Sequence, residues 1–249
     1  MIVPVYFPVS NMKASFVMNQ TMHAQFNSYV FDLVSFIASA ALVFAYHLFI
    51  RSKVEKDPTY TVQAINIIAR TAWVETIMHE RRDILAVQTL RNSTMAATFL
   101  ASTSVLMIIG ILTLSEGGKL ESTWHVLNIV GATPPELWLT KLICLLLDMF
   151  VAFFSFSMSI RVFNHVGYMV NVPLALNHKM ISPAHVATHL NRAGKFYSLG
   201  MRAYYFMVPL VFWLFGPHFM FISTIGLLVV LYRIDRAPKI MAMDYSDVS

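Results

Sequence analysis

The sequence has a single cysteine, Cys144, and it lies inside an apolar run, which excludes a disulfide framework. Charge is scarce as well. Asp, Glu, Lys and Arg make up 12% of the 249 residues, against roughly 25% in an ordinary soluble domain. Glycine supplies only nine residues, which leaves little room for a phosphate-cradling loop. No Walker loop, dinucleotide fingerprint, HExxH or GxSxG occurs. Residues 1–27 lack the basic, apolar and small-residue pattern of a secretory signal peptide. What fills the chain instead is apolar: 57% of its residues are hydrophobic. The formal charge of +5 does not point to nucleic acid here. In membrane chains an excess of Lys and Arg reports loop orientation.

The stretch 81–113 sets the frame. It starts as a charged amphipathic helix with Arg81, Arg82, Asp83, Gln88 and Arg91, and it ends as a membrane span. From Met95 to Leu114 there is no charge at all. Twenty such residues rise about 30 Å as a helix, the thickness of a hydrocarbon core. Arg91 therefore marks a water boundary, and the stretch reads as one helix without a break.

The remaining elements fall into place around it. Residues 1–27 read as an arm at the membrane surface, with Pro4 and Pro8 discouraging an early helix. The first span covers about 29–50, with Asp32 in its first turn suiting the positive helix end. The basic loop 51–93 contains an amphipathic helix over 59–79, whose apolar face holds Val62, Ile65, Ile68, Trp73 and Ile77. It either lies in the headgroup layer or packs on the next helix. The second span, 94–114, ends at Ser115-Glu116-Gly117-Gly118. A short apolar piece follows at 124–130. Thr133-Pro134-Pro135-Glu136 reads as the start of the third span, 137–160. Ser182-Pro183 starts a helix that runs into the last apolar stretch, 203–232, which is interrupted at Gly216-Pro217. The tail is 237–249.

Basic residues crowd 51–93 and 162–202, whereas 115–136 has only Lys119. The positive-inside rule puts the first two on the cytoplasmic side and the N-terminus outside. A hairpin turning at Gly216-Pro217 keeps Arg233, Arg236 and Lys239 on that same side, and it is favoured over one kinked span. The expected fold is an all-α, polytopic membrane helix bundle with four or five spans plus amphipathic cytoplasmic helices.

Several stretches resemble the DUF599 family. They are 81–114, the Tyr46-His47 pair, Gly200-Met201-Arg202-Ala203-Tyr204-Tyr205-Phe206, Phe212-Trp213-Leu214-Phe215-Gly216-Pro217 and Leu231-Tyr232-Arg233. The resemblance covers about 29–236. It implies a bacterial or plant multi-pass membrane protein with no established activity, so it carries no functional residues over.

The residues offer a few candidates for chemistry. Asp148 sits mid-span, where a carboxylate is costly. Lys141, Cys144, Asp148 and Ser155 share a helix face that could meet Ser102, Thr103 or Ser104. That stripe reads either as a relay for protons or cations, or as a helix-packing device. His185 and His189 have metal-ligand spacing, but no third ligand is fixed by spacing. Arg51, Arg91, Arg161, Arg202 and Arg233 stand near span ends and form a belt for lipid headgroups or an anion. The expectation is a non-catalytic accessory or scaffold subunit of a larger complex in the plasma (bacterial inner) membrane. Its expected partners are lipid and other membrane subunits; no cofactor beyond bound lipid is expected. A small transporter using Asp148 is the alternative, and a metal-dependent membrane enzyme stands behind both.

Overall fold

The computed structural model describes residues 9–116, 135–176 and 181–237. The expected cap at Thr133-Pro134, the apolar piece at 124–130 and most of the tail lie outside the described residues. The described residues form six α-helices: α1 (Val9–Lys56), α2 (Val62–Glu80), α3 (Asp83–Glu116), α4 (Pro135–Val170), α5 (Pro183–Phe215) and α6 (Pro217–Asp235). No strand occurs among the described residues; Thr61 and Arg236 form one isolated bridge. All helices but α2 are long and apolar enough to cross a membrane. The chain is an all-helical, polytopic membrane protein.

Local chemistry explains where the helices stop. Asp57 accepts from the backbone and hydroxyl of Thr59 at 2.9 and 2.7 Å, which turns the chain after α1. Thr61 then caps α2 by accepting from the Ala64 N–H at 3.3 Å. Ser182 caps α5 through the His185 N–H, with Pro183 in the first turn. Gly216 adopts φ 147° and ψ 162°, a conformation open only to glycine, and Pro217 restarts the chain as α6. The expected hairpin is therefore present. Its first limb is the upper part of the 33-residue α5.

Two boundaries differ from expectation. α1 begins at Val9, directly after Pro8, so residues 9–27 belong to the 48-residue first helix. Stretch 81–113 is broken at its start. Arg81 takes φ 56°, the left-handed region, and closes α2; α3 begins at Asp83. A non-glycine residue there costs about 1–2 kcal/mol, and no glycine or proline advertised the corner.

Helices α3, α4 and α5 form the centre, with α4 packed on both neighbours. Each has 33 to 36 residues, about 50 Å at 1.5 Å per residue. They outrun a hydrocarbon core of about 30 Å. Their apolar packing divides accordingly. One cluster at lipid depth joins Ala101, Leu142, Met149, Phe156 and Leu214. A second, towards the basic end, joins Val74, Ile77, Leu90, Phe163, Val186 and Leu190. Helix α2 contributes to the second cluster by packing on α5 rather than chiefly on the next helix. Its buried stripe is Ile65, Val74, Ile77 and Met78, while Ile68, expected inside, is exposed.

Helix α1 stands apart from this centre and packs mainly on α6. Ser35 Oγ donates to Pro217 O at 2.7 Å, and Tyr46 OH donates to Asp235 Oδ2 at 2.8 Å. Both pairs advance together along the two helices, so α1 and α6 run in the same direction and α5 runs against them.

Candidate functional site

Polar chemistry inside the bundle concentrates at two levels. One level joins α1, α4 and α5. Lys141 Nζ lies 2.8 Å from Asp32 Oδ1, and their side chains are 0% and 2% exposed. Trp213 Nε1 donates to the same oxygen at 2.6 Å. The ammonium also sits 5.5 Å from the Trp213 ring centroid, and Phe36 stacks on that ring at 5.1 Å. The ammonium meets the carboxylate off the line of a good hydrogen bond, so its N–H groups lack a well-aligned acceptor. The contact is chiefly coulombic, in a dry site where attraction is weakly screened. Asp32 is thus a mid-helix partner for Lys141; the first-turn role expected for it is overturned, because α1 begins far upstream.

The other level joins α1, α5 and α6, about 22 Å further along α1. His47 Nδ1 faces Val43 O at 2.8 Å, so that nitrogen carries the proton and leaves Nε2 bare. Arg202 Nη1 donates to Nε2 at 2.8 Å, and Nη2 reaches Asp235 Oδ2 at 3.4 Å. Tyr46 donates to the same carboxylate oxygen. The Tyr46-His47 pair and the 200–206 stretch, which carry the family resemblance, therefore meet at one clasp.

The other candidate residues are distributed as follows. Asp148 is half-buried, and no described group donates to its occluded Oδ2. Among the described residues, no hydrogen bond or ion pair joins the stripe to the second span. Lys141 turns to α1, Ser102 is exposed, and Ser104 bonds to Tyr204 at 2.9 Å and to Leu100 O at 3.0 Å. Ser159 binds Ala193 O at 3.0 Å and ties α4 to α5. His185 and His189 do come together, Nε2 to Nε2, at 3.2 Å, and the His165 ring stands 5.4 Å from that of His189. Among the described residues, no three His, Cys, Asp or Glu side chains are arranged to hold a metal. Arg161 and Arg192 line the same groove as His165 and His189, which disfavours a cation there. Of the span-end arginines, Arg51 pairs with Glu55 at 3.2 Å on the surface. Arg91, Arg161 and Arg233 are exposed, and Arg202 belongs to the clasp with His47.

One cation escaped the sequence reading altogether. Arg70, on α2, is half-buried in a cavity of about 610 Å³ between α2, α3, α4 and α5. Among the described residues no carboxylate reaches it. Burial pulls its proton affinity below the ordinary arginine value, though a guanidinium remains charged at physiological pH.

Among the described residues, five membrane-length helices and interior charges joined across helices define a membrane helix bundle. The chain belongs to the family described as "Protein of unknown function, DUF599", whose pattern matches residues 34–240. No curated protein and no solved structure matches the chain.

Proposed function

We propose that the chain is a non-catalytic accessory or scaffold subunit of a larger complex in the plasma membrane, with its N-terminus outside. The observation that carries this reading is where the interior charge goes. Asp32, Lys141, Arg202 and Asp235 each join α1 to the rest of the bundle. Such contacts position helices. Helix α1 is held at both levels, yet its span is only 6% buried. Its outer face, with Ala41, Phe44 and Ala45, is free to meet another subunit. The orientation rests on the Lys and Arg asymmetry.

The test is extraction from native membranes in mild detergent, followed by the same extraction of an Ala41→Trp/Ala45→Trp variant. A stoichiometric set of other subunits that the double variant releases supports the reading. A chain that elutes alone, or only with copies of itself, overturns it. A transporter is the second reading, favoured by the unpartnered oxygen of Asp148. Its signature is an ion flux in proteoliposomes that Asp148→Asn abolishes.

A further inference from the structure

We infer that the cavity around Arg70 is a binding site for a phosphate-bearing ligand with an apolar body. Arg70 supplies a fork of five N–H donors. Asn66, Asn92 and Tyr197 line the same cavity, and no described group engages their polar ends. These donors outnumber the acceptors of a carboxylate and suit the several oxygens of a phosphate, for which the guanidinium fork is well shaped. Trp73, Leu90 and Phe163 line the same cavity. The ligand therefore has an apolar part as well as a charged one.

The guanidinium is held where it is by an absence on α5. Gly194 is buried, and a Cβ built on it would fall inside the Arg70 guanidinium. Any other residue at 194 displaces that group. The cation lies against the α5 backbone, partly stripped of water and without a matching charge among the described residues. A buried charge in that state costs free energy that an incoming anion recovers. The position along α3 fits an amphiphile. Thr89 and Asn92 lie on its charged side and Ala96 at the start of its charge-free span, so the cavity straddles the boundary marked by Arg91. On the other flank of α5, Arg192 and Lys195 line a second cavity of about 540 Å³. They are exposed, and Arg202 there is already paired, so that flank carries no comparable demand.

The ligand could come from the bilayer, as a phospholipid headgroup, or from water, as a soluble phosphate monoester. The full chain in neutral detergent distinguishes the two by its thermal midpoint and by titration. The probes are dihexanoyl phosphatidylglycerol and phenyl phosphate, with 1,2-dihexanoylglycerol as the phosphate-free control. A rise with the phosphatidylglycerol alone assigns the site to lipid, and a rise with phenyl phosphate alone assigns it to a soluble ligand. A rise with both leaves the phosphate class intact. In each case Arg70→Gln is expected to weaken binding about tenfold or more, as loss of charged hydrogen bonds does. Asn92→Asp sits at an exposed position, leaves the fold alone and places a negative charge at the mouth, so it is expected to act the same way. The inference is overturned if neither probe exceeds the dihexanoylglycerol control. It is equally overturned if Asn92→Asp and a folded Arg70→Gln bind as the parent chain does.

Discussion

Lys141 and Arg70 are both cations removed from water, and the protein treats them differently. Lys141 is wholly buried and faces Asp32 at 2.8 Å, with Trp213 closing the contact. Arg70 is half-buried, lies on bare backbone at Gly194 and meets no described carboxylate. The first arrangement is complete: removing either member leaves a charge stranded. The second lacks an anion among the described residues. A matched charge holds helices together, and an unmatched one points to a ligand.

The largest effect follows from breaking the matched pair. Lys141→Met strands the Asp32 carboxylate, and loss of one partner of a buried pair typically costs about 3–5 kcal/mol. The double change Asp32→Asn/Lys141→Met keeps an oxygen for Trp213 and removes both charges. It is expected to recover most of that loss. Denaturation of the three chains in one detergent gives the comparison. If the single and double variants are equally unstable, the pair is not the matched contact described above.

The pair also shows what could be read from the chain beforehand. Apolar runs, their lengths, the Ser182-Pro183 start and the Gly216-Pro217 break are local signals, and each marks an observed element. Asp32 and Lys141 are 109 positions apart, and periodicity says nothing of such a pairing. One clue was available. Each stands near the N-terminal end of its apolar run, and their charges are opposite. Arg70 was legible only as the flank of an amphipathic helix, because its burial depends on an absent side chain at Gly194 on another helix. The corner at Arg81 was hidden for a related reason: the chain adopts a left-handed residue there without glycine.

Two glycines on α5 sharpen the contrast at smaller cost. A Cβ on Gly200 would lie 2.8 Å from the Phe156 ring, which is fully buried and wedged edge-on against Tyr197 and Tyr204. Overpacking of that kind costs about 1–3 kcal/mol, so Gly200→Ala is expected to lower stability by that amount. A Cβ on Gly194 meets only the flexible end of Arg70, which can swing outward. The better helix propensity of alanine, up to about 1 kcal/mol, offsets the disturbance. Gly194→Ala is therefore expected to stay within about 1 kcal/mol of the parent chain while losing its response to the phosphate probes. Should it cost as much as Gly200→Ala, Arg70 is a locked packing residue and the contrast with Lys141 collapses.

The smallest effect is expected at Asp148, the acidic counterpart of Arg70. Its Oδ2 is occluded and receives no hydrogen bond from a described group. Unlike Arg70, it has no set of unengaged polar side chains described around it, and Lys141, two turns earlier on the same helix, is committed to Asp32. A carboxylate at lipid depth without a partner stabilises nothing by its charge. Asp148→Asn keeps the shape and removes the charge, so stability is expected to change by no more than about 0.5 kcal/mol, the range of substitutions that break no named contact. Assembly with any co-purifying subunits is expected to persist. Asp148→Leu probes the complementary point: if an unseen donor on another subunit meets Asp148, leucine releases that subunit whereas asparagine retains it. The measurements are the denaturation midpoint, the subunit composition after extraction, and ion flux in proteoliposomes. A flux that survives Asp148→Leu removes Asp148 from the transport reading. A flux lost with Asp148→Asn at unchanged stability would instead make its charge the working part of the molecule, and the accessory-subunit reading would give way to transport.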